Sequence, residues 1–120
     1  MTPQWFKAFQ LGRQRRQQRQ RIALYLDCTW QSTWGEQRSR VSSLSPTGCY
    51  IEDRFTVPPR GETVPELTVS LPAGAINVQG VVLDAMPGVG FAVRFTRVDA
   101  DARDRLTTLV QGFQRSHAPM

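Results

Sequence analysis

The chain has 120 residues, 40% of them hydrophobic and 21% charged, with two cysteines and a net charge of +5. This length supports one compact domain with its own core, and the composition is that of a globular protein rather than a disordered one. The positive charge is concentrated at the N-terminus: residues 1–26 contain six basic side chains and no acidic one, whereas residues 27–120 contain nine basic and ten acidic ones.

Residues 1–20 form a basic leader that can be partly helical. Thr2-Pro3 suits a helix start, and Trp5, Phe6 and Phe9 then share one face, which packs on the chain's own barrel or docks on a partner. The block 13–21 contains five arginines and no lysine. Without an apolar face to bury, this block is expected to be mobile or only partly helical in the free protein.

Alternation of apolar and polar residues predicts six short strands after the leader. Their approximate ranges are 22–30, 37–44, 48–52, 63–71, 75–84 and 89–95. After Asp99 the period changes to that of a helix near 100–114, with a stripe formed by Ala102, Leu106, Leu109, Val110 and Phe113. The expected architecture is an antiparallel barrel or sandwich with a C-terminal helix, over residues 21–115, followed by a disordered tail at 116–120.

Several classes of protein are disfavoured by the sequence. The uncharged stretch 67–83 alternates and contains Pro72 and Gly74, which is atypical of a membrane span, and residues 1–20 lack the apolar region of a secretory signal. We therefore expect a cytoplasmic protein, in which Cys28 and Cys49 are buried thiols. Two cysteines and His117 cannot complete a zinc site. No nucleophile–base pair or carboxylate pair indicates an enzyme.

Arginine is well suited to a ligand that carries both phosphates and a purine. Its guanidinium is permanently charged, forms two parallel hydrogen bonds with phosphate or with guanine O6 and N7, and stacks on a purine face. The block 13–21 is suited to such a ligand, but its composition alone favours a solvated segment, because basic tails are common.

A second motif follows the arginine block at the end of a predicted strand. Arg15 and Arg19 have the spacing Arg-x-x-x-Arg, and Ser45-Pro46-Thr47-Gly48 has the spacing Ser-x-x-Gly. With the later segments 80–82 and 90–95 and the closing helix, this order resembles the PilZ domain, a family of bacterial receptors for the second messenger cyclic di-GMP. The resemblance covers residues 15–110 and implies a six-stranded antiparallel β-barrel with a C-terminal α-helix.

The resemblance also implies the residues that bind the ligand. They are Arg15, Arg16, Arg19, Arg21, Ser43, Ser45 and Gly48. Ser43 stands where the family has Asp or Asn, so it offers fewer contacts to guanine. The arginine frame is open, because either Arg15 with Arg19 or Arg16 with Arg21 satisfies a version of the motif.

Separate physical reasons favour the residues of the turn itself. The hydroxyl of Ser45 can donate to a phosphate or ribose oxygen, and Gly48 permits a positive φ and close approach of a ligand. A plain β-turn would need the same residues. Arg38 and Arg40 are expected on a solvated face that can extend the positive surface beside the turn.

The functional expectation is a cyclic di-GMP receptor or adaptor that signals in bacteria through a protein effector not identified by the sequence. The ligand would order the leader against the barrel. No metal or other cofactor is expected. Two alternatives remain: a PilZ-like interaction module that binds no nucleotide, and a small nucleic-acid-binding barrel. The second is disfavoured because the arginine block lacks aromatic residues that stack on bases.

Overall fold

The computed structural model describes residues 22–116. The chain forms six strands and one helix in this range, and the bounds of each follow. The strands are β1 (Ile22–Ser32), β2 (Gly35–Ser45), β3 (Gly48–Glu52), β4 (Thr63–Leu71), β5 (Gly74–Met86) and β6 (Gly90–Arg97), and the helix is α1 (Ala100–Ser116). No helix among these residues is long and apolar enough to cross a bilayer.

The six strands close into an antiparallel barrel in the order β1-β2-β3-β6-β5-β4. Closure is made by β1 and β4, with Cys28 paired to Val69 and Trp30 to Leu67. The strand directions separate two ends of the barrel. The helix end carries the β2–β3 turn, the β4–β5 turn and α1; the loop end carries the β1–β2 turn, the segment 53–62 and the β5–β6 turn. The predicted barrel with a closing helix is confirmed.

The core is built from the inward faces that the alternation predicts. Cys28 and Trp30 on β1, Cys49 and Ile51 on β3, and the three apolar positions 67, 69 and 71 on β4 are all buried. The Trp30 indole packs edge-on against Phe91 with ring centroids 5.0 Å apart. Both cysteines are free and buried, as predicted.

Helix α1 covers the helix end of the barrel. The Asp99 carboxylate accepts a hydrogen bond of 2.7 Å from the Ala102 backbone N–H, which confirms the predicted N-cap. Leu106 and Val110 are fully buried in the barrel core. Phe113 is only half-buried, so the end of the stripe lies at the margin of the core.

The strands β1, β2 and β5 are longer than the alternation predicts. Four of the pairings contain irregularities, for example between Ala23 and Leu26 on β1 and between Val82 and Asp84 on β5. A bulge adds a residue to one strand and shifts the phase of its side chains, so the apolar pattern fades while the ladder continues. The alternation therefore gave bounds for β5 that were too short.

Candidate functional site

The β2–β3 turn is the centre of the predicted site. Ser45, the last residue of β2, pairs with Gly48, the first residue of β3, and Pro46 and Thr47 form the turn between them. The Thr47 carbonyl also accepts a hydrogen bond of 2.8 Å from the Phe95 backbone N–H on β6. The turn is thereby fixed against the barrel wall.

The hydroxyl of Ser45 is part of this turn. Its Oγ accepts from the Thr47 N–H at 3.2 Å and donates to the Gly48 carbonyl at 3.3 Å, and the side chain is fully buried. The donated bond is longer than the usual length of about 2.7–2.8 Å for a hydrogen bond from a hydroxyl. Ser45 therefore stabilises the turn.

The structural reason for glycine at position 48 differs from the one expected. The φ of Gly48 is not among the positive values, so the expectation of a left-handed backbone at this position is wrong. A Cβ at Gly48 would lie 2.5 Å from the Val93 carbonyl oxygen and 3.4 Å from the Arg94 Cα. Glycine is required here because β6 passes too closely for any side chain.

Ser43 faces the outer side of the barrel, beside Tyr50. The two residues are paired across β2 and β3, and Tyr50 packs with Ala92, Leu83 and Met86 in a small apolar cluster separate from the core. Ser43 is 6% exposed. Burial, with smaller contributions from Glu52 and Asp84, raises the pKa of Tyr50 to about 12, so its phenol stays protonated at neutral pH.

Arg94 is a candidate that the motif search missed. It lies directly opposite Gly48 in the β3–β6 ladder, its side chain is exposed, and the described residues provide it with no ion pair. Since Phe91, Val93 and Phe95 point inward, alternation alone places Arg94 on the outer face. The sequence does not reveal the strand order, and it is the β3–β6 pairing that brings Arg94 to the turn.

A second cationic position lies on the other side of the turn. A cavity of about 360 Å³ separates the turn from α1, and its lining includes Pro46, Thr47, Arg103 and Thr107. The turn is therefore flanked by Arg94 on the barrel wall and by Arg103 on the helix. Both are positively charged groups suited to an anionic ligand.

Two other sequence expectations concern arginines. Arg38 and Arg40 do not extend the surface beside the turn; they lie towards the loop end, and Arg40 is five residues from Ser45, about 17 Å along the strand. Arg15, Arg16, Arg19 and Arg21 lie outside the described residues. The described chain begins at Ile22, which pairs with Leu44 between Ser43 and Ser45.

Within residues 22–116 no three His, Cys, Asp or Glu side chains are grouped so that they could hold a metal ion. What the turn offers instead is hydroxyls, backbone groups and flanking arginines. This set of donors fits an anionic ligand with hydroxyl and carbonyl acceptors.

The model of the PilZ domain family matches residues 13–112, most of the chain. The chain is a PilZ domain. Comparison with curated protein sequences gives no match. The structures that resemble this PilZ domain share little sequence with it and support the fold alone.

Three of these structures match this chain over about four-fifths of its length. The Bacillus subtilis inhibitor of motility (MotI/DgrA) is 18% identical with a TM-score of 0.72; the match covers 82% of this chain and 51% of that one, so this chain spans about half its length. The PilZ domain of Escherichia coli YcgR, solved with c-di-GMP, is 14% identical with a TM-score of 0.65, covering 80% of this chain and 89% of that one. The complex of MrkH from K. pneumonia with c-di-GMP is 15% identical with a TM-score of 0.69, covering 80% and 51%.

Proposed function

We propose that the protein is a cyclic di-GMP receptor, in which the ligand bridges the arginine-rich leader, residues 1–20, and the β2–β3 turn. One observation carries the proposal: Ile22 pairs with Leu44, between Ser43 and Ser45. Because Arg21 immediately precedes Ile22, the arginine segment joins the barrel beside the turn. A ligand on the outer face of β2 and β3 is thus within reach of both motifs.

The proposed contacts follow from the chemistry of the ligand. Two arginines of the leader, Arg15 with Arg19 or Arg16 with Arg21, bind the phosphodiesters and the guanine edge. Ser43 and Ser45 supply hydroxyls, and the absence of a side chain at Gly48 leaves the surface low. Arg94, exposed beside Gly48, adds a positive charge on the barrel side of the ligand.

Binding would order the leader against the barrel and thereby form a surface that a protein effector recognises. The receptor acts in the bacterial cytoplasm without catalysing a reaction. The cost of ordering the leader reduces the affinity, as in other cases of folding coupled to binding. Ser43 in place of Asp or Asn reduces it further, since a hydroxyl makes fewer contacts with guanine.

Calorimetric titration of the full chain with cyclic di-GMP tests the proposal. The wild-type chain is expected to release heat and to reject GTP and cyclic di-AMP. Arg15→Ala with Arg19→Ala is compared with Arg16→Ala with Arg21→Ala to identify the frame. Arg38→Ala is the matched control, because Arg38 is exposed and lies towards the loop end, away from the turn. Absence of heat and of chemical-shift changes in the wild-type chain at high ligand concentration would refute the receptor function.

One observation favours the alternative of an interaction module that binds no nucleotide. The Ser45 hydroxyl is already used inside the turn, by Thr47 and Gly48. If this arrangement is permanent, the Ser-x-x-Gly motif serves the turn alone. The two functions are separated by the titration above, and by Ser45→Ala, which would then change stability without any ligand-dependent effect.

A further inference from the structure

The loop end of the barrel presents two large aromatic side chains to solvent. Trp34 in the β1–β2 turn is 85% exposed, and Phe55 in the segment after β3 is 94% exposed. Val89 in the β5–β6 turn is also exposed. Three separate loops therefore place apolar side chains at the same end, opposite the β2–β3 turn.

Hydrogen bonds hold the turn that carries Trp34. The Ser32 hydroxyl donates to the Gly35 carbonyl at 2.9 Å and accepts from the Trp34 backbone N–H at 3.0 Å. Gly35 has a φ of 111°, which glycine alone adopts readily, so the chain reverses directly after Trp34. The indole is thus displayed by a defined turn.

Phe55 is held in a similar way by Asp53. One carboxylate oxygen of Asp53 accepts from the backbone N–H groups of Phe55 and Thr56 at 2.9 and 2.8 Å, and the other accepts from the Ser39 hydroxyl at 2.5 Å. The loop is therefore tied to β2. Because the backbone is already ordered, burying Phe55 in a complex costs less conformational entropy than burying a side chain on a mobile loop.

Gln37 links the two loops. Its amide nitrogen donates to the Ser32 hydroxyl at 3.2 Å, and its amide oxygen accepts from the Thr56 hydroxyl at 3.3 Å. Trp34 and Phe55 consequently belong to one hydrogen-bonded unit. We call the surface formed by Trp34, Phe55 and Val89 the aromatic end.

The groove beside Phe55 has balanced charges. Its lining includes Gly88, Val89 and Phe55 and an equal number of cationic and anionic side chains. The cationic ones are Arg38, Arg40 and Arg54, and the anionic ones are Asp27, Glu52 and Asp53. Nucleic acid or an anionic membrane would meet three carboxylates there, whereas a second copy of the same surface would meet complementary charges in a two-fold arrangement.

We propose that the aromatic end is a self-association surface, through which two copies of the chain pair with Phe55 of each copy in the groove of the other. Buried aromatic side chains each remove about 150–250 Å² from water, so two copies of Trp34 and Phe55 contribute roughly 600–1,000 Å². With the rims of the groove added, this approaches the area of specific interfaces. The pairing leaves both β2–β3 turns exposed, and it does not depend on the ligand proposed above.

Sedimentation equilibrium of the full chain without nucleotide tests this proposal. The wild-type chain is expected to reach twice the mass of a single chain as concentration rises. Phe55→Ser should raise the dissociation constant of the dimer at least about tenfold, because aromatic residues at the centre of an interface often contribute much of the binding energy. Phe55 is 94% exposed, so this variant should keep the thermal stability of a wild-type monomer.

A charge reversal and its control make the test specific. Arg54→Glu should weaken the dimer, since Arg54 lines the groove, whereas Arg103→Glu on α1 should not, because Arg103 lies at the helix end. A wild-type chain that stays monomeric at high concentration would overturn the proposal. So would a dimer that persists with both Phe55→Ser and Trp34→Ser, which would show that the chains associate elsewhere.

Discussion

The Val93 carbonyl oxygen occupies the space that a side chain at Gly48 would need, since a Cβ there would lie 2.5 Å from it. The contact joins the β2–β3 turn to β6, next to Arg94. The close approach of the β3 and β6 backbones therefore requires glycine at the last position of the Ser-x-x-Gly motif. The same glycine serves the fold and the proposed ligand surface, so its replacement should affect both.

Gly48→Ala is expected to lower the free energy of unfolding by about 1–3 kcal/mol, the range found for overpacked positions. Gly112→Ala is the matched control: no atom lies within 4 Å of a Cβ there, and Gly112 is inside α1. Alanine should raise the stability of that helix by up to about 1 kcal/mol. Urea unfolding of both variants measures the contrast, and equal effects of the two substitutions would contradict the close-packing argument.

The helix cap can be tested separately from the surface charges of α1. Asp99→Ala removes the acceptor for the Ala102 N–H and should cost about 0.5–2 kcal/mol. Asp101→Ala removes an exposed ion pair with Arg105, with N···O at 3.0 Å, and should cost only a few tenths. In thermal unfolding, Asp99→Ala should lower the melting temperature more than Asp101→Ala does. A larger decrease for Asp101→Ala would show that the cap is not the main stabilising contact.

Leu106 and Phe113 should differ although both belong to the apolar stripe of α1. Leu106 is fully buried, so Leu106→Ala should cost about 2–5 kcal/mol. Phe113 is half-buried at the margin of the core, and Phe113→Ala should cost less than Leu106→Ala. Denaturant unfolding of the two variants gives the comparison. Loss of equal stability in both would indicate that the last turn of α1 packs as tightly as the middle.

How far the sequence predicted the fold depends on which signal each element carries. Strands β3 and β4 and the Asp99 cap were predicted at their observed bounds, because alternation and capping are local. The partner of each strand is not a local property, so the β3–β6 pairing and with it Arg94 escaped notice. The positive φ expected at Gly48 was wrong for the same reason: glycine is required there because an atom of β6 excludes a side chain.

The buried thiols should make the protein sensitive to alkali. Burial raises the pKa of Cys28 from 9.0 to about 12; a backbone hydrogen bond from Ser39 lowers it slightly, and the negative charges of Asp27 and Asp53 raise it slightly. Burial raises the pKa of Cys49 as well. Because the folded pKa exceeds the unfolded one, the stabilising effect is complete below pH 9 and is lost as the pH rises towards 12. Above pH 9 each thiol therefore lowers the free energy of unfolding by up to about 1.4 kcal/mol per pH unit.

The matching measurement is urea unfolding at pH 8 and pH 10.5, together with reaction of the thiols with a coloured disulfide reagent at pH 8. The folded protein should react slowly and the unfolded protein at once, because the thiolate is the reactive form. Rapid labelling of both cysteines in the folded protein would show that they are accessible.

Ser43→Asp connects the stability of the barrel with the proposed ligand. Position 43 is 6% exposed, so a carboxylate there should be poorly solvated and should lower the melting temperature of the free protein. Cyclic di-GMP should restore part of that loss, since guanine N–H groups donate to a carboxylate more strongly than to a hydroxyl. The experiment compares melting temperatures of wild type and variant with and without ligand, and Ser42→Asp on the same strand is the control for added charge. If ligand raises the two melting temperatures equally, position 43 does not contact the nucleotide. If it raises that of the variant more, the guanine edge lies against the outer face of β2 at position 43.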